Sequence, residues 1–103
     1  MGEATWVRTL PDFDGTRVIV CSGELDAATT GPLGEALKAA ERDGINKTVV
    51  DLAAVSFADS ALLNTLVQAH RKQRLVIAGP YRPQVARLFQ ITGTDTFFDP
   101  VRD

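Results

Sequence analysis

The run Thr48-Val49-Val50-Asp51-Leu52 limits what this chain can fold into more than any other stretch. It is rich in β-branched residues, and Val55 and Phe57 carry its apolar content onward. Such a run reads as a buried parallel strand, and parallel strands need crossover connections rather than tight hairpins. The run breaks at Asp59-Ser60, where an acid and a hydroxyl stand between the strand and a helical pattern. An α/β fold is therefore expected, with chemistry at that junction.

The other elements follow from periodicity and punctuation. Residues 4 to 10, with Trp6 and Val7, make an edge strand, and Pro11-Asp12-Phe13-Asp14-Gly15 makes the turn of an N-terminal hairpin. The second strand spans Arg17 to Ser22. Its centre, Val18-Ile19-Val20-Cys21, is apolar at every position, as in a strand covered on both faces. Thr29 or Thr30 caps a helix with Pro32 in its first turn and Gly44 at its end, and Leu33, Ala36, Leu37 and Ala40 share one face.

After Ser60 a second helix carries Leu62, Leu63, Leu66, Val67 and His70 at helical spacing. Arg71, Lys72 and Arg74 lie near its end, where cations suit the helix dipole and imply no nucleic acid. Leu75 to Ala78 is a short strand, Val85 to Ile91 a short helix closed by Gly93, and Phe97-Phe98 a final strand before Pro100. The order β-β-α-β-α-β-α-β predicts a mixed, mostly parallel sheet with an N-terminal hairpin and about three helices.

With 103 residues, 45% hydrophobic and 23% charged, the chain has the make-up of one soluble globular domain. A chain of that size buries ~65% of its unfolded surface and needs no metal or disulfide support. A net charge of −2 is too small to imply a nucleic-acid or membrane partner. The start Met1-Gly2-Glu3 shows no signal peptide and no apolar run nears the roughly 18 residues of a membrane span, so a cytoplasmic protein is expected. Cys21, the sole cysteine, forms no intrachain disulfide and reads as inert packing.

Several chemistries are excluded by residue type. The chain has no GxxxxGK or GxGxxG phosphate loop, and one His with one Cys cannot close a zinc site. A serine nucleophile needs a base within hydrogen-bond reach. His70 is the only histidine, and a helix shared with Ser60 puts the two roughly 15 Å apart. No catalytic residue, cofactor or metal is therefore expected. Asp26 and Asp59 each follow a predicted strand, and neighbouring strands would bring both carboxylates and Ser60 together at one sheet edge. The competing reading is that Asp59 or Ser60 simply caps the next helix.

At these residues the sequence resembles the STAS domain family, and within it the small bacterial anti-anti-sigma factors, also called anti-sigma factor antagonists. The resemblance runs from about Val18 to Phe98. It rests on Gly23-Glu24-Leu25-Asp26 with Thr29, on Val50-Asp51-Leu52 through Val55-Ser56-Phe57, on Asp59-Ser60, and on Pro83-x-Val85-x-Arg87-Leu88-Phe89 leading to Thr92-Gly93. It implies one STAS-like domain over residues 1–103 and a non-enzymatic regulator of transcription.

In that family an anti-sigma factor with serine kinase activity phosphorylates the serine after the aspartate, which here is Ser60. The unphosphorylated form binds the anti-sigma factor and frees sigma; the phosphorylated form does not. Asp26 and Asp59 match acidic residues beside that serine, and Thr29 matches a position near the partner surface. Where the family continues Asp-Ser-Ser-Gly or Asp-Ser-Thr-Gly, this chain has Ala61 and Leu62, so partner choice or kinase recognition is expected to differ there, with Leu62 adding bulk toward a partner. Thr94 replaces a usually apolar residue. The sequence stops at Asp103, where many members carry another helix, so some partner- or core-covering surface is expected to be missing or dispensable. Two rival readings are a STAS-like subunit docking on the ATPase of a lipid or solute transport complex, and an enzyme or small-molecule binder using Asp26, Asp59 and Ser60.

Overall fold

The expected hairpin opens the fold: β1 (Trp6–Thr9) runs antiparallel to β2 (Thr16–Leu25), with Val7 opposite Cys21. Its turn needs left-handed backbone at Asp14 and Gly15, with φ of 53° and 76°, a conformation that Asp tolerates and Gly adopts freely. Arg17 secures this end by donating to both Asp12 carboxylate oxygens, at 2.7 and 2.8 Å, and to Asp43 at 2.9 Å. Paired with that guanidinium, the Asp12 carboxyl is held below its ordinary range.

The computed structural model describes residues 4–94 and 99–100. After the hairpin come α1 (Gly31–Arg42), β3 (Lys47–Ala58), α2 (Ser60–His70), β4 (Leu75–Ala78), α3 (Pro83–Thr92) and β5 (Asp99–Pro100). The sheet order is β1-β2-β3-β4-β5, and every pair after the hairpin is parallel. The mixed, mostly parallel α/β layout predicted from the sequence is present, and β3 lies at the centre of the sheet. The final strand expected at Phe97-Phe98 falls outside the described residues; β5 pairs Asp99 with Val76 and Pro100 with Ile77.

Each parallel strand adds to the sheet on the same side as the last, so right-handed crossovers put all three helices on one face. One continuous core results. It joins Ile19, Cys21 and Leu25 of β2, Val50 and Leu52 of β3, and Leu75 and Ile77 of β4 to Leu33 and Leu37 of α1, Leu62 and Leu66 of α2, and Val85 and Phe89 of α3. This corrects the expectation of strands covered on both faces: Val18, Val20, Val49 and Asp51, on the opposite side, are only half-buried.

Two boundaries and one cap differ from the sequence reading. β2 does not stop at Ser22 but continues to Leu25, because β3 runs on beside it to Ala58. Gly23 makes that continuation possible: its φ is 88°, and a Cβ there would sit 2.6 Å from Thr5 Oγ1 and 2.7 Å from the Ala4 carbonyl oxygen. Thr30 occupies the N-cap of α1 but makes no side-chain cap, and the Thr29 hydroxyl is engaged elsewhere, so the expected threonine cap is absent. α3 begins at Pro83, ahead of the predicted Val85, and ends on Gly93 in the left-handed conformation.

Candidate functional site

The β2–β3 ladder ends on Leu25 opposite Ala58, two buried residues. The next residue on each strand is an aspartate, so the register carries Asp26 and Asp59 off the same end of the sheet from neighbouring strands. Both are half-buried, and Glu24, opposite Phe57, adds an exposed acid one residue before Leu25. The convergence expected of Asp26, Asp59 and Ser60 is what the topology produces.

The two aspartates are used differently. Asp26 opens a five-residue connection to α1 and closes it on itself. Its Oδ1 accepts from the Ala28 amide at 2.9 Å, and its carbonyl accepts from the amides of Thr29 at 3.1 Å and Thr30 at 3.0 Å. Thr29 works as a buckle: its Oγ1 accepts from the Asp26 amide at 2.9 Å and lies 2.7 Å from the Glu24 carbonyl oxygen and 3.1 Å from Asp26 Oδ1. With one hydroxyl proton to give, the shorter contact marks Glu24 as the acceptor.

Asp59 is the entire connection between β3 and α2. Extended at φ −132°, it accepts from the Ala61 amide at 2.9 Å and so caps the helix. The capping reading therefore holds for Asp59 and not for Ser60. Ser60 is the first helical residue, exposed, and its hydroxyl makes no hydrogen bond among the described residues. Ala61 beside it is half-buried. Leu62 is wholly buried in the core, so the bulk expected to face a partner faces inward instead. It fills space between α2 and the sheet, which glycine at this position would leave empty.

The sequence reading passed over Gln84 in the x position after Pro83. Its side-chain amide bonds both backbone groups of Ala58, the residue before Asp59. A glutamine in the first turn of a helix carries no local signal of such a contact, which depends on where α3 docks. Phe57, 39% exposed at the end of β3, was expected to extend a buried run and instead places an aromatic at the surface beside the junction.

The site is an open surface. A groove of about 330 Å³ lies between α1 and α2, lined by Gly34, Leu37, Asn64, Thr65 and Gln68 among others, but none of Asp26, Asp59 and Ser60 borders it. Ser60 and His70 are the first and last residues of α2, which leaves Ser60 without a base from that histidine. No trio of His, Cys, Asp or Glu among the described residues could hold a metal. Cys21 is fully buried, and burial together with nearby Asp51 pushes its thiol up to about 12, far from a reactive thiolate. None of the described helices is long and apolar enough to cross a membrane.

Comparison with known proteins bears on this geometry. The family profile described as "Mlab, STAS domain" matches residues 11–101. A search among curated proteins finds no match to the chain. Among solved structures, an anti-sigma factor antagonist from Mycobacterium paratuberculosis is 30% identical, with a TM-score of 0.78 over 97% of this chain and 86% of its own. The unphosphorylated form of the anti-sigma factor antagonist SpoIIAA is 18% identical, with a TM-score of 0.78 over 95% of this chain and 90% of its own. The phosphorylated form of the Bacillus cell fate determinant SpoIIAA, also 18% identical, gives 0.70 over 95% and 93%. At that identity the two SpoIIAA structures speak for the fold alone.

Proposed function

The chain belongs to the STAS domain family, and from that premise we propose that it is a bacterial, cytoplasmic anti-sigma factor antagonist, one domain over residues 1–103, switched by phosphorylation of Ser60. Family membership makes it a binding module rather than an enzyme. In its unphosphorylated form it binds an anti-sigma factor that is also a serine kinase and thereby releases a sigma factor. The observation that carries this reading is the exposed Ser60 hydroxyl, directly after a cap supplied by Asp59 and beside a second connection that starts at Asp26.

The chemistry suits a switch. A kinase can reach an exposed serine at a helix start, and the product phosphate would lie near the amides and positive dipole end of the first turn. Phosphorylation adds about −1.5 to −2 charges close to Asp59, Asp26 and Glu24. A partner fitted to the neutral hydroxyl would meet a much stronger anionic field there, so binding is lost through local charge without refolding. Asp26, Asp59 and the turn buckled by Thr29 shape this surface, and Ala61, which lacks the family's second hydroxyl, leaves Ser60 as the sole acceptor at the junction.

The test is to incubate the protein with a candidate anti-sigma factor kinase and ATP and to locate phosphate by mass spectrometry. One phosphate on Ser60 is expected, and Ser60→Asp is expected to weaken anti-sigma binding at least about tenfold. Phosphate at another residue, or unchanged affinity of the aspartate variant, overturns the reading. Co-purification with a transporter ATPase, with Ser60 unmodified, would point instead to a STAS subunit that docks without being phosphorylated.

A further inference from the structure

We propose that Gln84, on α3, is a positioning residue for the Ser60 hydroxyl at the start of α2. The inference rests on the reading of Ser60 as phospho-acceptor and adds to it a residue from a distant part of the chain. Its basis is an interruption in the sheet. β4 stops at Ala78, opposite Asp51, while β3 continues to Ala58 with β2 alone beside it. The β4 side of that extension lacks a partner strand. Within that extension Ala53 donates to the Asp51 carboxylate at 2.9 Å, where the β2–β3 register shifts between Asp51 and Ala54.

At the last residue a side chain stands in for the missing strand. Ala58 is 1% exposed, so water cannot readily serve its backbone groups. Gln84 serves both: its Oε1 accepts from the Ala58 amide at 2.9 Å, and its Nε2 donates to the Ala58 carbonyl at 3.0 Å. A primary amide offers an acceptor and a donor side by side on separate atoms; a carboxylate lacks the donor, and Lys and Arg lack the acceptor. Pro83 starts α3, so Gln84 sits in the first turn, at the end of the helix that meets β3.

The consequence for Ser60 is direct. Ala58 is followed by the single connecting residue Asp59 and then by Ser60. The direction in which the chain leaves β3 is thus fixed from one side by the Leu25–Ala58 rung and from the other by Gln84. Without the second anchor the one-residue junction can tilt, and the hydroxyl moves relative to an attacking geometry that tolerates little displacement.

The test compares wild type with Gln84→Met, which keeps the side-chain length and removes both bonds, and with Gln84→Glu, which keeps only the acceptor. Amide exchange by NMR is expected to speed up at Ala58 by about tenfold in Gln84→Met, with Val50 and Leu52 unchanged. With a kinase that phosphorylates the wild type, kcat at Ser60 is expected to fall about three- to tenfold with KM within about twofold, because a contact to the kinase would instead move KM. Gln84→Glu falls between the two, and it carries both measurements if Gln84→Met does not fold. Unchanged exchange at Ala58 overturns the clamp. Faster exchange with unchanged kcat leaves Gln84 a structural residue and overturns its positioning role. Wild-type protein that no anti-sigma factor kinase modifies overturns the Ser60 reading itself, and the positioning role with it, while exchange at Ala58 still reports the hydrogen bonds.

Discussion

Two strand-to-helix connections leave the same end of the sheet, from residues paired with each other, and each starts with an aspartate. Between β2 and α1 the aspartate and the hydroxyl stand three positions apart, as Asp26 and Thr29, and they close a turn. Between β3 and α2 they are adjacent, as Asp59 and Ser60, and cannot fold back on each other. Asp59 alone takes the cap, and the hydroxyl is left at the first helical position facing solvent. Spacing, not residue type, therefore decides which hydroxyl is structural and which is available for chemistry.

The sharpest attack on this contrast is Leu62→Gly, which restores the glycine that the family resemblance leads one to expect. If that position addressed only the partner, stability would be unaffected. Leu62 is wholly buried, so the change opens a cavity and puts glycine in a helix, for an expected loss of about 3–5 kcal/mol in urea unfolding. A loss under about 1 kcal/mol would return Leu62 to the surface and detach the junction from the core.

Thr29→Val comes next. It keeps the shape and deletes the buckle, leaving the Asp26 amide and the Glu24 carbonyl without their side-chain partner. A loss of about 1–2 kcal/mol is expected, with Ser60 still accepting phosphate. If the substitution instead abolished phosphate uptake in a folded protein, Thr29 would belong to the acceptor site, and the two connections would not divide as described.

How much of this was legible beforehand depended on the range of the interaction involved. The element order through the third helix, the parallel strand β3, the hairpin and the junction at Asp59-Ser60 follow from local periodicity and turn chemistry, and the structure has them in those places. The length of β2 was not legible, because its last rungs exist only through β3, and the positive φ of Gly23 looks in sequence like the end of a strand. Leu62 was misread for a related reason. Its family position suggested a surface, whereas the apolar stripe with Leu63 and Leu66 already pointed to the core. Gln84 joins segments 26 positions apart by side-chain geometry, which no periodicity carries.

The smallest effect on stability is expected from the residue with the largest effect on function. Ser60→Ala removes a hydroxyl that bonds nothing among the described residues, at an exposed position, in favour of a better helix former, and Asp59 keeps its cap to the Ala61 amide. Unfolding free energy is expected to change by no more than about 0.5 kcal/mol, while phosphate incorporation falls to background. Thr29→Val should give the reverse pattern, less stable yet still modified, so the pair forms a double dissociation. A Ser60→Ala protein that loses more than about 1 kcal/mol would show that this hydroxyl is structural as well. One that still takes up a phosphate would move the acceptor elsewhere, with the exposed hydroxyls to be searched first. In either case spacing would no longer separate the two connections, and their difference would have to come from the partner rather than from the fold.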